Sequence, residues 1–593
     1  MISFYLNGKY HEISHINPNT TVLEYLRLHE HQTDTKEGCG SGDCGACTIM
    51  AQRLPSHAMS DSSDSTPFYT FNSCIALLSL MDGHHLMTAS YLADNPAHHP
   101  ERALLHPAQQ AMVDCHGSQC GFCTPGFVMS LANLYENNRM QQQQNTKQGS
   151  TNGESSYDDP SYDDIVAAIS GNLCRCTGYR PIIEAGLTMG KIGQQRDIDK
   201  TVAKDLTISL ATDAMVSKSQ SLSKTESLDT SNKASTIEPA LAEGSRQLFI
   251  PKTVDALNQL LAVYPQATIW AGGTDLGLSI TQHLVDHEVI IQLSAIDELK
   301  TWSLSHSKSS SKPDSKPDSK PDSKPLSELD KSTDNKKSVQ ELTFGAGMTY
   351  QQMLPILEHN YPEFAALFAR TASPQIRNMG TLGGNIANAS PIGDLPPILL
   401  ALEARIHLRH CNPNNGDIGG EEANAKDENN EHNQKQKHYV DEIIPLSEFF
   451  IDYKKTKLRA GSYIVAIHMP LMQANQHLFI HKISKRYEDD ISACLVAVRI
   501  DLSADSMTID HAKIGLGGMA AVPLLAKNCQ QALLGQPLEL ASFEKAAKAL
   551  PMDVSPLTDV RASREYRLHV VQRLLIKCGK QLIKETQTER ESS

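Results

Sequence analysis

The chain has 593 residues and a formal net charge of −14, with 40% hydrophobic and 21% charged residues. That length allows several domains, each with its own core, and an acidic balance with no sustained basic patch argues against a nucleic-acid partner. No apolar run approaches the ~18 residues of a membrane span, and the start, MISFYLNGKYHEI, lacks the charged beginning and apolar stretch of a signal peptide.

In chain order, the first residues read as two alternating strands around Asn7-Gly8, a hairpin turn signal. A helix from about Thr21 to Leu28, a cysteine loop and a strand Thr48–Arg53 complete a small β-grasp-like domain. The loop, EGCGSGDCGACTI, spaces Cys39, Cys44 and Cys47 as C-x4-C-x2-C, with Cys74 in FNSC beyond it. This is the plant-type ferredoxin spacing for a 2Fe–2S cluster. Gly38, Gly40, Gly42 and Gly45 let the loop turn tightly and aim N–H groups at sulfur. Paired cysteines also hold tetrahedral Zn2+, but the spacing and the four glycines fit the cluster better.

From about Pro96 to Gly190, apolar residues recur at helical spacing in PAQQAMVDCHG, PGFVMSLANLY and DDIVAAI. A second cysteine set lies among these helices: Cys120 and Cys123 in SQCGFCTPGF, Cys174 and Cys176 in GNLCRCTGYRP. By spacing alone it suits zinc as well as iron–sulfur; beside a first cluster it reads as a second. Pro125 and Pro181 each suit the first turn of a helix. Met140 to Ser161 is a Gln/Asn/Ser-rich insertion, too polar to fold independently. Cys115, Cys411, Cys494, Cys529 and Cys578 are scattered singly. Thiolate ligands need a reducing compartment, so the expected location is the cytoplasm.

About Lys200 to Gly244 reads as a linker. Ser303–Ser338 holds the repeat SKPDSKPDSKPDSKP, where proline at every fourth residue forbids helix and central strand. A third polar stretch, about Asn412 to Lys437, has irregularly spaced histidines and reads as a solvated insertion rather than a metal site. Between these, a helix leads to a strand Ala267–Trp270 that ends in Ala271-Gly272-Gly273-Thr274-Asp275. A glycine pair after an apolar strand lets the backbone approach a pyrophosphate, though a plain tight turn has the same look. QIRNMGTLGGNIANASPIGDLPP packs Gly380, Thr381, Gly383, Gly384, Asn385, Asn388 and Ser390 too densely for an apolar core, and suits wrapping a phosphate-bearing cofactor. No G-x-G-x-x-G occurs, so a Rossmann fold is not supported. From about Glu442, strands (SYIVAIHMP, CLVAVRIDL, HAKIGLGGM) precede two helices, the last about Ser563 to Ile583. The run Ser563 to Arg567 reads as capping and packing.

CGSGDCGACT, QCGFCTPGF and GNLCRCTGYRPI, in that order, resemble the iron–sulfur half of the molybdenum hydroxylases, the family of xanthine dehydrogenase, aldehyde oxidoreductase and carbon monoxide dehydrogenase. The two glycine-rich segments resemble the family's FAD-binding domain. The resemblance implies an α+β multidomain chain: a β-grasp ferredoxin-like domain (1–92), a helical 2Fe–2S-binding domain (93–195), a disordered linker (196–245), an FAD-binding PCMH-type α+β domain (246–440) and a small α+β C-terminal domain (441–593). It implies a cluster on Cys39, Cys44, Cys47 and Cys74, another on Cys120, Cys123, Cys174 and Cys176, and FAD contacts at Ile269, Trp270, Ala271, Gly272, Gly273, Thr274, Asp275, Leu276, Thr381, Asn385, Asp394, Val465 and Lys482. Gln119 matches a family glutamine at the molybdenum cofactor.

No segment resembles a molybdenum-binding domain. The iron–sulfur–FAD fusion resembles the small subunit of bacterial xanthine dehydrogenases, which implies a large molybdenum-cofactor subunit as partner, a heterotetramer, and NAD+ as electron acceptor in oxidation of hypoxanthine and xanthine to urate. An aldehyde or N-heterocycle as substrate, or a non-catalytic electron-transfer partner, are the alternatives. Deleting Ser311–Lys324 should leave FAD content and NAD+ reduction unchanged, because a proline-punctuated loop buries nothing; flavin absorbance of the deletion protein checks this.

Overall fold

The computed structural model describes residues 1–54, 66–93, 104–147, 159–198, 237–307, 339–411, 439–487 and 489–592. The SKPD repeat, the third polar insertion and nearly all of the linker lie outside these residues. Among the described residues no helix is long and apolar enough to cross a membrane.

The first unit is a five-stranded sheet in the order Lys9–Ile13, Ile2–Leu6, His84–Met87, Thr48–Arg53, Phe68–Asn72. Asn7 and Gly8 take positive φ, +52° and +79°, as the tight hairpin between the first two strands demands. Thr21 caps the expected helix, accepting from Glu24 N–H at 3.2 Å, and the helix relaxes into a π turn over Tyr25–His29. Among the described residues, four helices form the second unit: Pro107–Asp114, Thr124–Lys147, Tyr162–Ile169 and Arg180–Ile198. They pack on Met50, Phe68 and Met87 of the first sheet through Phe127, Met129 and Leu131. One expectation fails here. The insertion expected to begin at Met140 is helical as far as Lys147, because Arg139 and the glutamines after it are good helix formers that extend a turn already nucleated.

Among the described residues the third unit has two main sheets and a two-stranded ribbon, Phe450–Asp452 with Lys455–Thr456. Arg246–Phe249, Val289–Gln292 and Thr268–Trp270 run parallel, with Leu241–Glu243 at the edge. An antiparallel sheet follows, in the order Trp302–Ser307, Val339–Gly345, Ser462–Pro470, Arg405–His410, Val440–Pro445. Its apolar face packs on the helices Tyr350–Asn360, Pro362–Ala369 and Leu395–Ala401. Val440–Pro445 and Ser462–Pro470 therefore belong to this unit, so the boundary expected at 441 falls after Pro470. Strand pairing over long sequence separation, His407 against Ala466 for example, decides this, and local sequence cannot show it.

The last unit is a sheet of Gln476–Ile483, Cys494–Leu502, Ile509–Gly517 and Leu524–Leu525. It is covered by three helices rather than the expected two: Lys527–Leu533, Leu540–Ala549 and Arg564–Ser592. Ser563 caps the last of these, accepting from Tyr566 N–H at 3.2 Å, as expected.

The units share cores. Trp270, Leu248 and Ile290 of the parallel sheet pack with Phe4, Ile49 and Phe71 of the first unit. Inside the third unit, a Cβ on Gly272 would lie 1.8 Å from the Met379 carbonyl oxygen, so the two glycine-rich segments meet backbone to backbone. Gly272→Ala should therefore force the segments apart, at a cost of about 1–3 kcal/mol. A thermal midpoint equal to that of the parent protein would show that the contact yields freely.

Candidate electron-transfer site

The loop from Gly38 to Cys47 and the turn at Asn72–Cys74 bring four thiols together, and they meet in pairs. Cys47 and Cys74 Sγ atoms are 3.3 Å apart and buried. Cys44 donates to Cys39, which holds the Cys39 thiol down at about 4 and pushes Cys44 up. The hydrogen bond between Cys47 and Cys74 likewise lowers Cys47 and raises Cys74. Ser41 N–H lies 3.4 Å from Cys39 Sγ, the amide-to-sulfur contact expected of a glycine-rich loop. Gly40, Gly42 and Gly45 all take positive φ there.

The second set pairs in the same way. Burial first, and then a bond to Cys174, push Cys123 up to about 12, while Cys176 is raised by its bond to Cys120. Thr177 N–H lies 3.4 Å from Cys174 Sγ. Among the described residues no three His, Cys, Asp or Glu side chains converge as one bound ion requires. Thiols arranged two by two suit a two-iron cluster, in which each iron takes two thiolates.

Cys120 and Cys176 are exposed, as are their neighbours Gln119, Phe122 and Leu173. The first set is more enclosed, with Cys47 and Cys74 buried and Cys39 and Cys44 half-buried. Cys47, Cys74 and Ile75 pack against Leu278 and Ile376 of the third unit, and Thr281 Oγ1 donates to the Gly40 carbonyl at 2.7 Å. The two sets are joined directly: Leu173 N–H donates to the Cys44 carbonyl at 2.9 Å.

The proposed pyrophosphate loop is held between the strand Thr268–Trp270 and the short helix Gly277–Thr281. Gly273 has φ +73°, and a Cβ there would lie 2.3 Å from Trp270 Nε1. Ile269 and Ala271 pack in one cluster with Val465, and Leu276 packs beside the first unit's core. Among the described residues, no backbone carbonyl accepts from the N–H groups of Gly272, Gly273, Thr274 or Asp275. Four such donors in one turn are what an anion cradle requires. Thr274 and Gly272 line a cavity of about 10 Å3 shared with Asn72 and Ile75 of the first unit. Asp275 lies on the other side, lining a cavity of about 340 Å3 with Asn388, Ser390, Tyr453, Arg561 and Arg567. The loop thus stands between the first thiol set and the larger cavity.

The second segment divides its labour. Thr381 caps the helix Leu382–Asn388, accepting from Gly384 N–H at 3.2 Å. Asn385 Oδ1 is buried without a protein partner, a polar atom left for a ligand or water. Asp394 is already engaged: Lys482 Nζ is 2.8 Å from its Oδ2, and Ser492 donates to its Oδ1. The Lys482 side chain is 1% exposed and that of Asp394 7%, so this is a buried ion pair joining the third unit to the last. The two residues hold each other across the junction of these units, and neither lines the larger cavity. Sequence reasoning missed Tyr453 and Arg561 as wall residues and took Arg567 for packing alone. Arg567 does pack, donating to the Gly518 carbonyl at 2.8 Å and to Asp559 at 2.7 Å, and it faces the cavity as well.

Four family models match, in chain order: a 2Fe-2S iron-sulfur cluster binding domain over residues 4–79, a 2Fe-2S binding domain over 92–187, an FAD binding domain in molybdopterin dehydrogenase over 244–310 and 322–415, and a CO dehydrogenase flavoprotein C-terminal domain over 479–582. Among curated relatives, xanthine dehydrogenase of Blastobotrys adeninivorans is 29% identical over 601 residues, 91% of this chain and 37% of the relative. Xanthine dehydrogenase 1 of Arabidopsis thaliana and aldehyde oxidase 1 of Oryctolagus cuniculus are each 26% identical, over 93% of this chain and 37% of theirs. The chain thus spans little more than a third of the length of these relatives. A carbon monoxide dehydrogenase structure from Hydrogenophaga pseudoflava superposes with a TM-score of 0.43 at 22% identity, over 57% of this chain and 96% of that one, too partial to carry an argument. In this order along one chain, the four matched domains fit the iron–sulfur/FAD electron-transfer region of a molybdenum hydroxylase.

Proposed function

We propose that this chain is the iron–sulfur/FAD part of a xanthine dehydrogenase that carries electrons from a molybdenum site on a large partner subunit to NAD+. Cys120, Cys123, Cys174 and Cys176 hold one 2Fe–2S cluster, and Cys39, Cys44, Cys47 and Cys74 hold a second. The loop Ile269–Leu276, with Thr381, Asn385 and Val465, holds FAD. When bound, the clusters supply one-electron storage and the flavin joins single electrons into a hydride equivalent. One observation carries the reading: the outer thiol set adjoins the inner one through the Leu173–Cys44 hydrogen bond, and the inner set's loop adjoins the end of the glycine loop through the Ile75–Gly277 contact.

The chain's own residues set the direction. Exposed Cys120, Cys176 and Gln119 leave the outer set open to a partner. Leu278 and Ile376 close water away from Cys47 and Cys74, which favours handing electrons inward rather than to solvent. The free N–H groups of the loop position the cofactor's phosphates, and the larger cavity beyond Asp275 leaves room for a nicotinamide donor or acceptor. The partner's chemistry supplies the substrate step, in which xanthine or hypoxanthine is hydroxylated. An assembly of two copies of each subunit, located in the cytoplasm, completes the proposal. A second reading, an aldehyde or N-heterocycle as substrate, is favoured by the aldehyde oxidase relative at 26% identity. Xanthine-dependent NAD+ reduction by the native complex, with an aldehyde as competitor substrate, decides between them.

Cys44→Ser should abolish the inner cluster's EPR signal and leave the outer one reducible, since the two sets lie in separate units; loss of both from a folded protein would refute independent sites. Expressed alone, the chain should pass electrons from NADH to ferricyanide and show no turnover of xanthine. Gly273→Arg, forced against Trp270 at φ +73°, should remove flavin absorbance and NADH–ferricyanide activity while sparing both clusters. Full flavin content in that variant would sink the loop assignment.

A further inference from the structure

The short helix Pro374–Arg377 of the FAD-binding unit drives one side chain, Gln375, into the seam between the two cysteine-bearing units. It is fully buried. Its Nε2 lies 3.1 Å from Thr48 Oγ1, 3.3 Å from Asn172 Oδ1 and 3.4 Å from Ser130 Oγ. Thr48 follows Cys47, Asn172 stands two residues before Cys174, and Ser130 lies on the helix that begins just after Cys123. One amide from the third unit thus reaches both cysteine sets.

The network fixes which way that amide points. Asn172 Nδ2 donates to the Gly45 carbonyl at 3.0 Å and to Thr48 Oγ1 at 3.2 Å, so its Oδ1 must face Ser130 and Gln375. Only the NH2 side of Gln375 satisfies that oxygen. The next residue, Leu173, makes the hydrogen bond to Cys44 that joins the two cysteine loops. Sterics tighten the same point. A Cβ on Gly45 would lie 2.1 Å from the Gly171 carbonyl oxygen, one on Gly126 2.2 Å from the Gly45 carbonyl oxygen, and one on Gly171 2.1 Å from Gln375 Oε1.

For stability alone the amide is a poor choice. Gln375 Oε1 is buried with no partner, a penalty that leucine would not carry. Leucine would also leave no neighbour orphaned, because Asn172 Oδ1 keeps Ser130 and Thr48 keeps Asn172. What leucine would remove is the tie itself. We propose that Gln375 is a positioning residue of the electron path: from the FAD-binding unit it holds Asn172 and Thr48, and through them the Leu173–Cys44 link between the two cysteine sets. This rests on the two-cluster reading above.

The test uses the full chain as wild type, Gln375→Leu and Gln375→Asn, fully reduced with dithionite for EPR and fully oxidised for single-electron injection. Asn378→Leu is the control, because it cuts a different bond between the same units, from Asn378 Nδ2 to the Thr70 carbonyl at 2.8 Å. Iron and flavin content, each cluster's own EPR signal, the spin–spin splitting between clusters and the rate at which a single injected electron redistributes are measured. Both Gln375 variants should keep iron, flavin and the individual signals, yet lose the splitting and slow the redistribution. The control should melt lower with splitting and rate intact. Should Gln375→Leu fail to load both clusters, Gln375→Asn decides, since it keeps the amide but draws it back out of reach. Wild-type splitting and rate in a loaded Gln375 variant, or the same loss in the control, would overturn the inference. A single cluster signal in wild type would overturn the two-cluster reading first, so the two failures appear in different samples.

Discussion

Backbone-to-backbone approach at Gly45, Gly126 and Gly171 is the constraint on which the rest of this chain depends. These glycines come from the first cysteine loop, the long helix and the turn before the second C-x-C pair. A methyl group on any of them would fall within about van der Waals exclusion of a neighbouring polar atom. Their closeness brings the two thiol sets within one hydrogen bond of each other. It also lets Asn172 add a donor to the Gly45 carbonyl, which already accepts from the N–H and hydroxyl of Thr48. Domains that merely abutted would need side chains or water between them, and every added layer would lengthen the distance an electron must cross.

A second tie works differently. Asp394 and Lys482 meet far from water, where two bare charges are costly to bury. The pair holds only because Ser492 and Thr371 also reach the carboxylate. It pins the last unit against the third at the start of the helix Leu395–Ala401, and the larger cavity is lined by residues of both units. The cavity's shape is therefore set by a junction between units rather than by either unit alone.

Local features were legible in the sequence and long-range ones were not. The strands Thr48–Arg53, Ser462–Pro470 and Cys494–Leu502 lie where alternation and β-branched runs put them, and the cysteine spacings carried the pairing of thiols into sets. Periodicity could not say which sheet Ser462–Pro470 joins, because that is decided by partners more than fifty residues away. Composition misled at Met140–Lys147: a glutamine run reads as polar insertion, yet glutamine continues a helix well once a turn exists. Gln375 carried a faint signal, standing in QIRNMG just ahead of the glycine-rich segment. Its role needed three segments to be seen at one point, which no single stretch of sequence displays.

The contrast between the two thiol sets also bears on how the holoprotein can be built. Cys47 and Cys74 are buried beneath Leu278 and Ile376, residues of a unit that begins some two hundred positions later in the chain. On the proposed two-cluster reading, iron and sulfide reach Cys47 and Cys74 most directly before that unit seats, whereas Cys120 and Cys176 stay open to a scaffold protein afterwards. Topology would then order maturation: inner cluster, closure, and the outer cluster filled or repaired last.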